Sequence, residues 1–547
     1  MPQPPFIKWQ PSPTTRGTSD IISSCLSTLT ICVINAIHVD VLESKYLKRR
    51  IMTKIRWLLL GLVAPELVLL ISYFQRQTAV QLTSEASSRL CCPPSRDPWY
   101  ARWFKRLLSC TRNDTKDDHF SRKHPWTLTH SYYATMGGFA LELSDDEPIH
   151  HSTQNRALLT VDGLRFIIER EPDLIPDILE DDILDRSKAS GLSKAILILQ
   201  VLWFCVHCIS RLYDQLPLAL LEISTFAHGL CTLATYVIWW SKPLDVQEPH
   251  IIRGVRAQEL CALMLMCSRS RLYIVGGVLT LYFDCERAHL EWAPISTISN
   301  DRIVYANTHA AETSLRPGQT LSGTGFSPSA DLAKKGSDLP SFFLGGRACS
   351  INRTWHKFLL KVETLLHFGR DTPPWYAHDT HEGLTVLHQR DMRRWMLASI
   401  AMERYALTDL PGQGPFVSFH AELDVWTDGA RGRNNRLEAV MVTFLILLHA
   451  VPHFFGWNAD FETSADRFLW RGATVSLFFY PITFSFQRLV TGWSHAWRVS
   501  VIGLVIMSVV YPICSLYLVY ASFRQVFALP PEAFELPSWG NNIPHIS

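Results

Sequence analysis

Glu66 follows Ala64-Pro65 in the middle of an apolar run, Ile55 to Phe74. An ionised acid at the centre of a bilayer costs roughly 2.5–3.5 kcal/mol on insertion scales, so this carboxyl is expected to be neutral or partnered inside a helix bundle. It is either a proton or substrate site beside the Pro65 kink, or a hydrogen bond that fixes packing. His449 and His453 are spaced i, i+4 and share one face of a helix. That spacing suits a metal or haem, but no third ligand stands nearby and Pro452 lies between them, so packing or hydrogen bonding to a neighbouring helix competes. Glu180-Asp-Asp-Ile-Leu-Asp185 contains an Asp-Asp-x-x-Asp pattern, in which Asp182 and Asp185 would hold magnesium against a diphosphate, as in prenyl-diphosphate chemistry. No second aspartate-rich run accompanies it, and a solvated acidic helix start explains it as well. His130, among the aromatics of Trp126 to Phe139, would line a small apolar pocket or pack a loop, with Gly137-Gly138 allowing close backbone approach. Glu222 and His228, about 240° apart on a helix, do not share a face. Gly-rich phosphate loops, serine elbows and His-Glu zinc patterns do not occur.

The elements that would carry these residues are membrane helices. The chain reads as an all-α membrane protein with about seven transmembrane helices and two large extramembrane loops of mixed structure. Residues 1–74 hold an N-terminal tail and two spans, near Ile21–Ile37 and Ile55–Phe74; residues 75–193 are the first large loop. Residues 194–240 form a transmembrane hairpin, 241–436 the second large loop, and 437–547 a bundle of three spans with a tail. Each half of the hairpin is long enough for a hydrocarbon core of ~30 Å at ~1.5 Å per residue. Lys194 and Arg211 are expected to snorkel to opposite surfaces, with Trp239-Trp240 in the headgroup layer. Within the loops, Trp99–Leu108 reads as an interfacial helix, Trp126–Phe139 as extended or turn structure, Asp173–Asp185 as an acidic helix, and Ser322–Gly346 as a flexible insertion.

Orientation signals conflict. Basic residues around 39–54 (Lys45, Lys48, Arg49, Arg50, Lys54) put that loop in the cytosol and, through a span at 55–74, both large loops outside, where the sequons at Asn113 and Asn352 would fit. The acidic loop with Asp460, Glu462 and Asp466, followed by Arg488 and Arg498, argues the reverse for the C-terminal half.

Composition narrows the classes. The chain has 547 residues, 47% hydrophobic and 19% charged, with net charge +2, and its mean hydropathy is +0.06. Near-neutral charge without a long basic run gives no case for nucleic acid. Thirteen cysteines without paired spacing indicate neither a disulfide framework nor a zinc site. No cofactor is indicated, and the expected partners are the lipid bilayer and, for an enzyme, a lipophilic small molecule.

Several motifs occur in a fixed order: Cys25-Leu-Ser-Thr28, Cys32, Ala36-Ile-His38, Ala64-Pro-Glu66, Trp126-Thr-Leu-Thr-His130, Met136-Gly-Gly-Phe139, Asp185-Arg-Ser-Lys188 and Trp239-Trp-Ser-Lys-Pro-Leu-Asp-Val246. His453, Trp457-Asn458, Leu469-Trp-Arg471 and Leu529-Pro-Pro-Glu-Ala-Phe534 follow. Together they resemble a large group of fungal multi-pass membrane proteins of unknown function. The family usually has Trp at Ile34 and Glu at Leu220. The resemblance implies residence in an endomembrane or the plasma membrane, a fungal source and a link to secondary metabolism, and it carries no catalytic residue. A structural or accessory membrane component is the leading expectation. A membrane enzyme acting on a prenyl or terpenoid-type molecule is the alternative, and a transporter a further one.

Overall fold

The computed structural model describes residues 6–12, 16–35, 47–90, 122–143, 156–185, 191–243, 246, 248–267, 435–489 and 494–537, together with 292–298, 303–306, 312–315, 320–322, 341–343, 384–386, 397–398, 400–401, 404–405 and 417–418. Helix dominates. In chain order come α1 (Thr18–Asn35), α2 (Leu47–Val63), α3 (Pro65–Arg89), α4 (Leu128–Thr135), β1 (Phe139–Glu142), β2 (Arg156–Leu159), α5 (Val161–Arg170), α6 (Glu180–Asp185), α7 (Gly191–Tyr213) and α8 (Leu220–Ile238). Next are β3 (His250–Ile252), α9 (Val255–Cys267), β4 (Trp292–Ile298), β5 (Ile303–Ala306), β6 (Glu312–Leu315), β7 (Thr320–Ser322), β8 (Ser341–Phe343), β9 (Leu384–Val386) and β10 (Val417–Ser418). The last are α10 (Asn435–Ala450), a 3-10 turn at Val451–Gly456, α11 (Ser464–Leu489), α12 (Ser494–Gln525) and a 3-10 turn at Pro531–Phe534.

Two large apolar cores and two smaller clusters result. The first belongs to the bundle of α1, α7, α8, α10, α11 and α12, where Cys25, Val201, Leu221, Trp470 and Leu518 are buried together. The second lies under a sheet of order β10-β2-β1-β3, in which β1 pairs antiparallel with β2 and parallel with β3. Leu82 and Ala86 of α3, Tyr133 of α4, Leu164 and Ile167 of α5 and Leu260 to Met264 of α9 fill this core. The remaining strands form two further sheets, β6-β5-β4-β8 and β7-β9.

Contacts along α8 fix the directions of α1, α7, α10 and α12. Cys25 and Cys32 lie beside Thr225 and Thr232, so α1 runs parallel to α8. Helix α7 runs antiparallel, with Cys205 against Gly229. So does α10, which brings Val442 and Ile446 to Cys231 before Gly456 reaches Leu220. So does α12, where Gln525 meets Leu220 and Ser522 meets Ser224. One end of the bundle therefore holds the 213–219 turn, the 457–463 loop and both tails, joined by the backbone bridge of Ile7 to Leu529. At the other end Trp239 meets Tyr132 and the sheet domain begins.

The α2–α3 junction departs from a kinked span. Proline has no N–H and disfavours helical backbone at the residue before it. Ala64 accordingly leaves the helix (φ −144°, ψ 68°), Pro65 starts a new one, and the two axes bend by 112°. Trp57 packs with the cluster of Val68, Ile71, Tyr132 and Trp239 at the domain end, whereas Leu62 reaches His228 in mid-bundle. The chain thus approaches the break from the domain end and returns to that end.

Among the described residues three helices are long and apolar enough to cross a membrane, Ala195–Tyr213, Leu220–Ile238 and Leu437–Gly456; counting the bent pair as one span makes four. The apolar helix Thr18–Ile34 is shorter. The expected count of about seven is not reached among the described residues.

Other expectations change. Residues 128–135 are helical rather than extended, because Gly137, at φ 79°, ends the segment only after two turns. Residues 173–185 become regular helix only from Glu180. Ser341–Phe343, inside the expected flexible insertion, pair with β4. Arg211 does not snorkel: it is fully buried and turned inward to backbone carbonyls. Trp99–Leu108, Asn113 and Asn352 lie outside the described residues.

Candidate functional site

The break between α2 and α3 frees backbone carbonyls, and other helices supply their donors. Leu62 O receives His228 Nε2 at 2.8 Å, and Val63 O receives the Ser515 hydroxyl. Carbonyls at a helix end enclosed in an apolar bundle need such partners because burial without a hydrogen bond is costly.

Glu66 lies one residue past the proline, in the first turn of α3, and is 1% exposed. Tyr511 of α12 donates its hydroxyl to Glu66 Oε1 at 2.5 Å. Oε2 stands 3.6 Å from His449 Nε2, too far for a hydrogen bond, and neither Oε2 nor His449 Nδ1 has a hydrogen-bond partner. Around His449 the ring of His228 lies 5.4 Å away and that of His453 5.0 Å away, both edge-to-face. His453 Nδ1 donates to the His449 carbonyl at 3.0 Å. Tyr480 of α11 packs on Tyr511 at 4.7 Å. A narrow cleft lined by Cys32, Gly61, Pro65, His228, Cys231 and Thr232 runs beside the break and admits roughly one water molecule.

The structure therefore brings together three residues of the sequence reading, Glu66, His449 and His453, and adds His228 and Tyr511. Among the described residues no three His, Cys, Asp or Glu side chains are placed to hold a metal ion. Pro452 turns the chain into a 3-10 segment just after His449, so the two histidines are not presented as a regular helical pair.

The other candidates lie elsewhere. His130 is buried in the sheet domain, where Thr127 N–H donates to its Nδ1 (3.2 Å) and its Nε2–H donates to Ile178 O (2.9 Å). Burial pulls its pKa below the ordinary histidine value. Both ring nitrogens are engaged, so His130 ties α4 to the 175–178 segment. Beside it, burial raises the Asp177 carboxyl, but the Lys123 N–H, the Arg122 guanidinium and His124 outweigh that and hold it low. Asp182 and Asp185 are exposed on α6. Its first residue, Glu180, accepts from Thr129 Oγ1 at 2.7 Å. An exposed acidic turn anchored by that bond has the form of a solvated helix start.

Sequence reasoning missed a second buried polar group at the tail end of the bundle. Arg211 donates to Glu535 O (2.6 Å), Ala533 O (2.9 Å) and Pro217 O (3.0 Å). Arg16 pairs with the buried Glu222, whose Oε2 also accepts from Ala219 N–H at 3.0 Å. The signal was available: an arginine and a glutamate flank the 213–219 turn, and each needs a partner if it is enclosed. Tyr511 carried no comparable mark within its apolar run.

No curated protein and no solved structure matches the chain. A model of a family of unknown function, DUF8562, matches residues 2–315, more than half of the sequence, and the chain belongs to that family.

Proposed function

We propose that the chain is a multi-pass integral membrane protein of the accessory or structural kind, which anchors its sheet domain at one face of a bilayer. The observation that carries this reading is α3. This single helix of 25 residues has Leu69 and Leu70 in the bundle and Leu82 and Ala86 in the domain core, so the two units share one rigid element. Helices α1, α7, α8, α10, α11 and α12 each cross the bilayer, while α2 and α3 dip in and return as a re-entrant pair. The 213–219 turn and the 457–463 loop then lie on one face, and the sheet domain on the other.

This topology removes the conflict between the charge signals. The basic start of α2 (Lys48, Arg49, Arg50 and Lys54), Arg488 and Arg498 all fall at the domain end, and the acidic 460–466 loop falls at the opposite end, so the positive-inside rule gives one answer: the domain faces the cytosol. The acidic loop is also neutralised locally, since Arg524 pairs with Glu462 (3.3 Å) and Asp466 (2.9 Å).

The proposed setting is a fungal endomembrane or plasma membrane and a secondary-metabolite pathway, supported by the resemblance of the sequence motifs. A second reading, transport or chemistry on a lipophilic small molecule, is favoured by one observation: two interrupted helices, at Ala64 and Pro452, meet at Glu66 and His449. Against a prenyl or terpenoid substrate stands the size of the cleft beside them. Metabolite profiling of a deletion strain separates the readings. An accessory role predicts a general fall in product; accumulation of one lipophilic precursor with loss of its product would overturn it in favour of an enzyme.

A further inference from the structure

We propose that Glu66, His449 and His228 form a proton-exchange site at the apex of the re-entrant pair. It rests on the reading of α2–α3 as a broken pair inside the bundle, and its ligand is the hydrogen ion. Three observations carry it.

Glu66 and His449 are wholly enclosed, and each keeps one polar atom without a hydrogen-bond partner, Oε2 and Nδ1. Burying such atoms is costly, and fold-locking pairs normally avoid it. Compare His130, whose two nitrogens are both engaged.

Glu66 and His449 face each other, and His228 packs against the His449 ring. Tyr511 fixes one carboxyl oxygen of Glu66, and the other faces His449 Nε2 at 3.6 Å. The His449 ring in turn packs on His228. A small rotation of either side chain closes the gap to hydrogen-bond length. The transfer is balanced: the carboxyl O–H breaks, an N–H forms at His449 Nε2, and carboxylate and imidazolium replace two neutral groups.

His228 faces only acceptors. Its Nδ1 lies 2.8 Å from Ser224 O and its Nε2 2.8 Å from Leu62 O. A neutral imidazole has one N–H and satisfies one of these carbonyls; the imidazolium satisfies both. A proton delivered to His228 by water in the adjoining cleft therefore completes the bond to the broken end of α2, and its return to that water leaves Ser224 O or Leu62 O without a donor. Proton occupancy is thus coupled to how firmly the break is held. The water-sized cleft beside His228 is the route of exchange.

The titratable groups around Glu66 are Tyr511 of α12, Tyr480 of α11, His449 of α10, His453 of the 3-10 turn, and His228 and Cys231 of α8. Among the described residues no lysine or arginine is within ion-pair distance of Glu66.

Infrared difference spectroscopy after a pH jump, on the purified chain with isotope-labelled glutamate, tests this. A buried carboxyl C=O band that changes with pH is expected, lost in Glu66→Gln and displaced but retained in Tyr511→Phe. Replacing His449 by Phe should abolish the pH response of that band while circular dichroism shows the fold intact. The proposal is overturned if wild-type protein shows no pH-responsive buried carboxyl band, or if the band responds unchanged in the His449 variant. Neither result bears on the re-entrant topology, which is tested separately by side-specific labelling.

Discussion

At the rim of the sheet domain, Arg165 pairs with Glu85 (2.7 Å) and Asp162, and Arg256 pairs with Glu171 (2.8 Å) and Asp173 (2.9 Å). Water reaches most of these side chains. In the bundle, Arg16, Arg211, Glu222 and Glu66 are almost completely enclosed, and their partners are backbone carbonyls, a single opposite charge or, for Glu66, the Tyr511 hydroxyl. The domain can lose a rim pair and rehydrate the survivor, whereas the bundle leaves an uncompensated polar group in an apolar interior. Polar substitutions should therefore be severe in one region and mild in the other.

The largest effect is expected at Arg211. Arg211→Ala strands the carbonyls of Pro217, Ala533 and Glu535 and detaches the tail, costing roughly 3–5 kcal/mol. Thermal unfolding in detergent would read this, and Arg211→Lys should rescue only part of it because one ammonium cannot reproduce the guanidinium fork. A loss equal to that of a rim arginine would break the comparison.

Gly138→Ala comes next. Its Cβ would lie 2.5 Å from both the Tyr133 ring and the Tyr133 carbonyl, so β1 must move away from α4. Overpacking of this kind costs about 1–3 kcal/mol, and the domain should unfold earlier than the bundle in near-ultraviolet circular dichroism. Thr160→Ala removes the cap that accepts Gly163 N–H at 3.1 Å, for about 1 kcal/mol in the same assay.

The domain also carries a pH signature. The His130 pKa is lowered by folding, so the unfolded chain binds more protons below its ordinary value of about 6.5. Stability contributed by this residue is full above that pH and is lost as pH falls towards the folded pKa. Denaturant midpoints of the wild type and His130→Gln should converge on acidification. The smallest effect belongs to Arg253→Ala: its bond to Glu142 (2.9 Å) is exposed, and the loss should be about 0–1 kcal/mol and vanish in high salt.

Much of the architecture was legible because it follows from hydropathy runs. The hairpin at 194–240 and the helix from Leu437 are apolar over the lengths that spans require, and Pro65 announced an interruption. What the sequence left open was the size of that interruption. A proline inside an apolar run kinks a helix when its neighbours continue the axis, and breaks it when Ala64 leaves helical backbone and foreign side chains take the freed carbonyls. His228 and Ser515, both distant in sequence, make the difference here. The same reason hid the partners of Glu66: Tyr511 is 445 positions away. For His130 the surrounding aromatics left pocket and packing both open, and the rings pack around a histidine whose two nitrogens are engaged by backbone groups.

The re-entrant pair is tested most directly by side-specific cysteine labelling in sealed membrane vesicles, on a cysteine-free background, at Lys54, Asp185 and Trp9. The account predicts that Lys54 and Asp185 label from one side and Trp9 from the other. Labelling of Lys54 and Asp185 from opposite sides would mean that residues 55–89 cross the bilayer, and would contradict it.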